Sequence, residues 1–234
     1  MFTTPSNREG VLMIKQACIF LNGVYADQEP RVALIRLDSL VIGVDGGTCH
    51  LSSFNLTPQI VIGDMDSLPT ADLVRLESNG TRILRHPPEK DETDFELALN
   101  HVIQQGCNEI LVFGALGGRT DQWMANILLP LVYMDKARIV LLRGSEELTY
   151  INSRAVIHGS TGDTLSLMPV TGDASGIKTT GLRYPLESET LIFGRSRGIS
   201  NELTDSDATI TVSSGILLCI HTSGLCDSKS KEVK

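Results

Sequence analysis

Short apolar runs alternate with longer segments of helical period through the first part of the chain, from Ala17 to about Leu142. Strands that alternate with helices are typical of a mostly parallel sheet covered by helices on both faces. The clearest helical segment places apolar side chains three and four residues apart, at Phe95, Ala98, Leu99, Val102 and Ile103. The pattern therefore predicts an α/β fold with strands at Cys18–Leu21, Leu40–Val44, Gln59–Ile62, Thr81–Leu84, Glu109–Phe113 and Arg138–Leu142.

The pattern changes after Gly144, where short β-type runs are separated by Gly, Ser, Asp and Pro and the helical period is lost. Such a series of short strands is typical of an all-β sandwich or flattened barrel. We expect a boundary near Gly144 to Ser153, between an α/β domain over residues 15–144 and an all-β domain over residues 148–224. The strands predicted in the second domain are Leu165–Met168, Ile177–Thr179, Thr190–Phe193, Thr209–Val212 and Ile216–Ile220.

Charge and cysteine usage disfavour two classes of function. The 234-residue chain has a formal net charge of −8 and lacks a lysine- or arginine-rich run, so a nucleic-acid partner is not expected. Its five cysteines are scattered and never spaced as Cys-x-x-Cys, and no two histidines have helical ligand spacing. The cysteines are typical of reduced thiols in a cytosolic protein, and the sequence gives little support to a structural zinc site.

Apolar runs in this sequence are short. The run Ile127–Met134 contains Pro130 and falls far short of the about 20 residues that a membrane helix requires. The segment Met1–Gly10 lacks the basic region and apolar stretch of a signal peptide. We therefore expect a cytoplasmic protein without a membrane partner.

Three aspartates follow two of the predicted strands. Asp45 comes directly after Leu40–Val44, and Asp64 and Asp66 follow Gln59–Ile62. Ligands of open parallel sheets bind beyond the carboxyl ends of the strands, and side chains two residues apart on a strand point the same way. Like charges held together repel, and carboxylates suit Mg²⁺ that bridges to phosphates. The pattern favours a metal site over the alternative, an Asx-turn in which Asp66 caps the next segment.

A second acidic phrase, Lys90-Asp91-Glu92-Thr93-Asp94, opens the helical segment described above. Asp91 and Asp94 stand three residues apart and would share one face of a helix. An ordinary acidic helix start explains the same spacing, and the sequence alone does not decide between the two interpretations. Combined with Asp64 and Asp66, the phrase supplies further metal ligands, with Lys90 as a partner for phosphate.

A glycine-rich phrase, Gly114 to Asp121, links a strand to a helix from about Gln122. Glycines allow close approach of the backbone to a ligand, and the helix start offers free N–H groups for an anion. Arg119 could neutralise charge on a transferred group. The alternative is a tight turn with Asp121 as N-cap. Neither a P-loop nor a dinucleotide-binding Gly-x-Gly-x-x-Gly is present.

Two phrases in the second domain carry a weaker signal. Tyr184 has an aromatic face, and Ser200-Asn201 offers donors and acceptors that could read a small heterocycle. By composition alone, turns and core explain these residues better than a site does.

As a set, these phrases resemble the thiamine pyrophosphokinase family, in order and over nearly the whole chain. The resemblance rests on Asp45-Gly46-Gly47, Pro58 followed by Ile62-Gly63-Asp64-Met65-Asp66-Ser67, Lys90-Asp91-Glu92-Thr93-Asp94, Gly117-Gly118-Arg119-Thr120-Asp121, Gly181-Leu182-Arg183-Tyr184 and Ser200-Asn201. It implies transfer of a diphosphoryl group from ATP to the hydroxyl of thiamine, giving thiamine diphosphate and AMP, with Mg²⁺ required. It also implies a homodimer, with thiamine between the first domain of one subunit and the β domain of the other.

The resemblance assigns roles by position. It implies metal coordination by Asp64, Asp66 and Asp94, with Asp91 as a further candidate. Catalysis would involve these three aspartates together with Arg119 and Asp121, and Asp121 or Asp91 would accept the alcohol proton. Thiamine would contact Tyr184, Ser200 and Asn201. The nucleotide phosphates would be surrounded by Asp45, Gly46, Gly47, Lys90, Asp91, Gly117, Gly118, Arg119 and Asp121.

One position departs from the family pattern. Gln122 stands where the family commonly has His, so proton shuttling at this position is not expected. Two other functions remain open on the sequence: a different Mg²⁺-nucleotide phosphotransferase acting on another small alcohol, and a non-catalytic protein that binds a nucleotide for regulation.

Overall fold

The computed structural model describes residues 15–25 and 29–224, with Glu29 and Pro30 described by their backbone alone. Met1–Gly10, Cys226 and the polar tail from Asp227 to Lys234 lie outside the described residues. The helices are α1 (Glu29–Val32), α2 (Thr70–Ser78), α3 (Asp94–Gln104) and α4 (Thr120–Leu128), and 3₁₀ segments cover Asp45–Phe54 and Leu129–Tyr133.

The described strands fall into two groups along the chain. The first group is β1 (Gln16–Phe20), β2 (Leu40–Val44), β3 (Ile60–Gly63), β4 (Arg82–Arg85), β5 (Glu109–Phe113) and β6 (Arg138–Arg143). The second group is β7 (Glu146–Ile151), β8 (Arg154–His158), β9 (Thr164–Pro169), β10 (Ala174–Thr180), β11 (Glu187–Leu191), β12 (Asn201–Glu202), β13 (Asp207–Thr211) and β14 (Leu217–Thr222).

A ten-stranded sheet with the order β12-β9-β14-β7-β6-β5-β1-β2-β3-β4 runs through the described part of the chain. Strands β1 to β6 pair in parallel, and in the centre of the sheet Ile19 of β1 lies between Ile42 of β2 and Val112 of β5. The carboxyl ends of β1, β2, β3 and β5 therefore meet at one edge, and this edge carries the aspartate and glycine phrases.

Both faces of the parallel strands are covered, which explains their nearly continuous apolar sequence. On one face Ile19 and Ile42 pack with Leu99 of α3 in a buried cluster. On the other face Phe20 and Phe113 stack with their ring centroids 4.6 Å apart. The predicted mostly parallel sheet flanked by helices is confirmed.

The second half adds a sandwich to this sheet. Strands β7, β14, β9 and β12 extend the large sheet in antiparallel fashion, and a second sheet has the order β11-β10-β13-β8. The two sheets enclose an apolar core that includes Leu165, Ile177, Ile210 and Leu217. The predicted β sandwich is confirmed, and its larger sheet continues directly into the parallel strands.

Several predicted boundaries differ from the structure. The expected domain boundary, Gly144 to Ser153, is occupied by β7. This strand pairs with β6 in antiparallel fashion, with Leu148 opposite Leu141. The division into residues 15–144 and 148–224 thus stays a proposal. Strand β11 runs over Glu187–Leu191 instead of Thr190–Phe193, because Phe193 lies beyond the strand with its side chain exposed.

Two expectations about the chain as a whole can be compared with the described residues. Cys18, Cys49, Cys107 and Cys219 are free thiols, and only Cys49 of these four is exposed. Among the helices in the described ranges, none is both long enough and apolar enough to cross a membrane.

Candidate active site

Asp45 occupies the first position after β2, at the carboxyl edge of the sheet. Its φ of +42° is in the left-handed region that side chains rarely adopt. The Asp45 carboxylate lies against the backbone of Gly63, where an added β-carbon would be 1.7 Å from Oδ1. The Met65 N–H donates to the same Oδ1 over 3.2 Å. The Gly63-Asp64-Met65 turn after β3 therefore fixes the position of Asp45.

Asp45 forms a carboxyl pair with Asp94, the first residue of α3. Partial burial raises the pKa of Asp45 well above its usual range, and the hydrogen bond with Asp94 and the charge of Asp94 raise it further. The Met65 N–H opposes this shift, and the charge of Asp64 adds to it. Two carboxyl groups in contact must share a proton or a cation, so this pair needs nearby positive charge.

Lys90 provides part of the missing positive charge. Its Nζ lies 2.9 Å from Asp94 Oδ1, and both side chains are mostly buried. The Lys90 ammonium donates its directed hydrogen bond to the Pro87 carbonyl over 3.0 Å. Asp94 Oδ1 is a buried oxygen without a hydrogen-bond donor among the residues that the structure describes. Lys90 thus compensates Asp94 electrostatically but leaves this oxygen available to a ligand.

The start of α3 shows which residue of the acidic phrase caps the helix. Thr93 is the N-cap, and its hydroxyl accepts a hydrogen bond from the Glu96 N–H over 3.2 Å. Asp94 is therefore free of a capping role and can belong to the site. Asp91 precedes the helix and is exposed, so the predicted shared helical face with Asp94 does not form.

Asp64 and Asp66 flank the buried side chain of Met65, which adopts φ +69°. The Asp66 N–H donates to Asp64 Oδ1 over 3.0 Å, and Asp66 Oδ1 accepts from the Ser67 hydroxyl over 2.7 Å. An Asx-turn is present, as the alternative interpretation proposed, but Asp64 forms it. Asp64 is close enough to influence Asp45, whereas Asp66 is exposed.

The structure brings Asp45, Asp64 and Asp94 to one edge of the sheet. Within residues 15–25 and 29–224, no group of three or more His, Cys, Asp or Glu side chains is already arranged as a metal-binding cluster. The metal set Asp64, Asp66 and Asp94 accordingly stays a prediction. The residues do fit a divalent cation, because Asp45 and Asp94 bring hard carboxylate oxygens into contact and Lys90 supplies only one positive charge beside them.

The glycine-rich phrase forms the loop between β5 and α4. Gly117 packs against Val24, whereas Gly118 has φ +77° and nothing within 4 Å of where a β-carbon would be. Gly118 thus needs its glycine for the backbone conformation and leaves open space beside the loop. Arg119 is the N-cap position of α4, so the alternative interpretation with Asp121 as N-cap is wrong.

Arg119 and Asp121 pair with each other at the end of this loop. Arg119 Nη2 lies 2.6 Å from Asp121 Oδ2, and the two side chains are 74% and 66% exposed. The Arg119 hydrogen bond lowers the pKa of Asp121. The guanidinium is accordingly placed to reach an incoming anion once it leaves Asp121, while Asp121 is a weakened base.

Asn201 and Tyr184 are tied together in the sandwich. Asn201 Oδ1 accepts from the Tyr184 N–H over 3.0 Å, and Asn201 Nδ2 donates to the Tyr184 carbonyl over 2.8 Å. Ser200 adopts φ +58° and donates its N–H to the Ser166 hydroxyl over 3.0 Å. The Asn201 amide is thus engaged in holding the Tyr184 loop, and Tyr184 as a whole is 63% exposed.

One chain does not bring Tyr184 and the carboxylates together. Asn201 begins β12, and six strands separate β12 from β2, which precedes Asp45. Seven spacings of about 4.8 Å place the two groups roughly 34 Å apart across the sheet. Within one chain, Tyr184 and the carboxylates are therefore far apart.

Asn22 is a residue of this edge that the sequence analysis missed. It follows β1, the strand between β2 and β5, and its side chain is exposed. The rule that ligands bind beyond the carboxyl ends of parallel strands applies to β1 as well and would have identified it.

Comparisons with known proteins match both halves of the chain. A family model described as "Thiamin pyrophosphokinase, catalytic domain" matches residues 33–141, which include the carboxylates and the glycine-rich loop. A second, described as "Thiamin pyrophosphokinase, vitamin B1 binding domain", matches residues 151–217, which include Tyr184 and Asn201.

Individual relatives agree with these matches. Thiamine pyrophosphokinase of Bacillus subtilis is 30% identical over 188 residues, which cover 78% of this chain and 87% of that protein. Its crystal structure aligns with a TM-score of 0.81 at 27% identity, covering 90% of this chain and all of that one. The Geobacillus thermodenitrificans thiamin pyrophosphokinase structure aligns with a TM-score of 0.77 at 31% identity, covering 92% of this chain and 99% of that one.

Proposed function

Because this chain belongs to the thiamine pyrophosphokinase family, we propose that a diphosphoryl group passes from ATP to the hydroxyl oxygen of thiamine at the carboxyl edge of its parallel strands. The chain is a thiamine diphosphokinase, a transferase of thiamine diphosphate biosynthesis, and its products are thiamine diphosphate and AMP. The observation that carries this function is the succession of both family matches along one chain, over 33–141 and 151–217. A phosphotransferase for another alcohol is not favoured, because the second match covers the half that carries Tyr184.

We assign the nucleotide and the metal to residues 15–144. Asp64, Asp66 and Asp94, the set predicted from the sequence, would hold Mg²⁺, and Asp45 would be an added ligand because it contacts Asp94. Bound Mg²⁺ would neutralise charge on the phosphate oxygens. Lys90 pairs with the Asp94 carboxylate at 2.9 Å and offsets part of the negative charge at this edge.

Arg119 is the proposed cation for the transferred group. Arg119 stands at the start of α4, beside the open space at Gly118, and its long side chain can change rotamer to reach a ligand there. Leaving Asp121 costs little because both side chains are exposed and water screens an ion pair at the surface. Of the two proton acceptors predicted from the sequence, Asp91 is favoured, because Arg119 lowers the basicity of Asp121.

A homodimer completes the site in this proposal. The separation of roughly 34 Å between Tyr184 and Asp45 within one chain, estimated from strand spacings, requires a second copy to supply one of them. Helix α4 buries none of its residues in a single copy. Leu128 at its end and Val132 just beyond are 50% and 71% exposed and extend an apolar stripe that begins at Met124.

The Tyr184 region presents a matching apolar surface. Ile192, Phe193 and Ile199 are all exposed in the sandwich. Packing of this surface on α4 of the second copy would bring Tyr184 towards the carboxylates next to the partner's glycine-rich loop. Residues 148–224 would then bind thiamine, with the Tyr184 ring stacked on its heterocycle and Asn201 holding the loop. We also propose a cytoplasmic location, which the free thiols of Cys18, Cys107 and Cys219 fit.

Product analysis tests the function. The full chain is incubated with ATP, Mg²⁺ and thiamine, and the products are identified by mass. Thiamine diphosphate and AMP in equal amounts are expected. Thiamine monophosphate with ADP, or unchanged thiamine, would refute the proposal.

A further inference from the structure

The order of strands places a ligand crevice between β1 and β5. The chain passes from β1 through β2 and β3 to β4 on one side, and then returns to β5 on the other side of β1. In open α/β sheets, ligands bind outside the carboxyl ends of strands at such a reversal of strand order. The residues that follow β1 therefore line the same crevice as the loop after β5.

The backbone after β1 is held firmly against that loop. The Leu21 N–H donates to the Phe113 carbonyl over 2.9 Å, and the Val24 N–H donates to the Leu116 carbonyl over 3.0 Å. A β-carbon at Gly23 would lie 2.2 Å from the Gly114 carbonyl oxygen, so only glycine allows this approach. Asn22, between these contacts, has a fixed backbone.

The Asn22 side chain is held on the other side by the turn that carries Asp45. A β-carbon at Gly46 would lie 2.6 Å from Asn22 Nδ2 and 3.1 Å from Oδ1, so the amide packs directly over Gly46. Across the described ranges, none of the hydrogen bonds found uses this amide, and the side chain is exposed. An oriented amide thus stands between the Asp45 turn and the glycine-rich loop with its donors free.

We propose that Asn22 is a nucleotide-binding residue whose Nδ2 donates a hydrogen bond to a phosphate oxygen of ATP. This inference rests on the proposed function, and it adds a contact that the resemblance did not assign. A neutral amide suits this acidic edge. Carboxylates attract an uncharged donor less strongly than a cation such as Lys90, which pairs with Asp94. It can donate to phosphate without competing with a cation for the carboxylates.

Direct binding of a non-hydrolysable ATP analogue with Mg²⁺, measured by calorimetry without thiamine, tests the inference. Asn22→Ala should weaken binding about tenfold, since a hydrogen bond to a charged group is lost. Asn22→Asp should weaken it more, because a carboxylate repels the phosphates. The KM for thiamine should stay within twofold of the parent.

Gly46→Ala is the matched variant, because its methyl group displaces the Asn22 amide without removing it. It should weaken analogue binding, and the double variant with Asn22→Ala should bind no more weakly than the weaker of the two single variants. Melting curves show whether each variant is folded, and Asn22→Ser takes the place of a variant at residue 22 that is not.

The possible outcomes separate this inference from the proposed function. An active parent whose Asn22→Asp variant binds the analogue within twofold of normal would overturn the role of Asn22 alone. A rise in thiamine KM with unchanged analogue binding would also overturn it. A parent that makes no thiamine diphosphate would refute the proposed function, whatever the analogue measurements show.

Discussion

Asp45 and Gly63 are complementary: Oδ1 of Asp45 lies 1.7 Å from the position that a β-carbon at residue 63 would occupy. The turn after β3 thus leaves room for the carboxylate that follows β2, and neither residue can change alone without moving the other. This relationship joins two strand ends into one acidic edge.

Gly63→Ala should therefore inactivate the enzyme. The added methyl group must displace Asp45 from the Met65 N–H, and we expect kcat to fall at least about 100-fold, as when one preorganised electrostatic group is lost. Gly80→Ala is the control, because Gly80 also has a positive φ, +88°, but no atom lies within 4 Å of its β-carbon position. Its cost should be about 1 kcal/mol in unfolding free energy with normal kcat. A Gly63→Ala enzyme with kcat within a few-fold of the parent would contradict the account.

Leu128→Glu should produce a monomer. A charge on the exposed apolar stripe of α4 would oppose packing of a second copy, as burial of an unpaired charge is unfavourable. Sedimentation of the parent should give twice the 25.4 kDa chain mass, and the variant should give the single mass with little thiamine turnover. Val74→Glu, at an exposed apolar position on α2, should leave both unchanged. A dimeric Leu128→Glu enzyme would argue against α4 as the interface.

Mixing two inactive variants should restore activity. Asp94→Asn disables one half-site and Tyr184→Ala the other, so a mixed dimer has one site built from two intact halves. After exchange of subunits we expect about a quarter of parent activity, since half of randomly formed dimers are mixed and one of their two sites is intact. Activity that merely equals the sum of the separate variants would contradict a site shared between subunits.

Stability should depend on pH through Asp163, a buried carboxylate far along the chain from the site. Burial alone would raise its pKa, but hydrogen bonds from the Gly224 and Ser160 N–H groups and from His221, which lies 2.9 Å away, lower it overall. A carboxyl group with a lowered folded pKa stabilises the fold above its unfolded pKa, and this stability is lost as pH falls through the folded value. Asp163→Asn should thus cost about 2 kcal/mol at neutral pH.

Urea unfolding of the parent and of Asp163→Asn at several pH values gives the comparison. The difference in unfolding free energy should shrink as pH falls below about 4, the ordinary aspartate range. Asp205→Asn, at an exposed position nearby, serves as control and should behave like the parent. A gap between parent and Asp163→Asn that is constant with pH would show that this carboxylate does not carry the effect.

The sequence predicted the buried parallel strands best. Leu40–Val44 and Glu109–Phe113 were placed at their observed bounds, because burial on both faces makes a strand continuously apolar. Strand β7 was missed because it begins with Glu146 and Glu147, and its pairing with β6 depends on contacts that periodicity does not reveal.

Site residues were predictable by type but not by contact. The strand-end rule identified Asp45 and Asp64, yet the Asp45–Asp94 contact joins residues 49 positions apart and needs the fold. Likewise, nothing in the Asn201 phrase indicates that both amide atoms bind the Tyr184 backbone.

The central claim is that carboxylates from the ends of β2 and β3 and the start of α3 hold a divalent cation that in turn binds the nucleotide. The most direct test is calorimetric binding of a non-hydrolysable ATP analogue with and without Mg²⁺, to the parent, Asp66→Asn, Asp94→Asn and the surface control Asp72→Asn. Asp66→Asn and Asp94→Asn should stay folded and lose at least about 100-fold in kcat. The parent and Asp72→Asn should bind the analogue at least about tenfold more tightly with Mg²⁺, and this gain should vanish in Asp66→Asn and Asp94→Asn. Equal binding by the parent with and without Mg²⁺, or an undiminished gain in both site variants, would contradict the account.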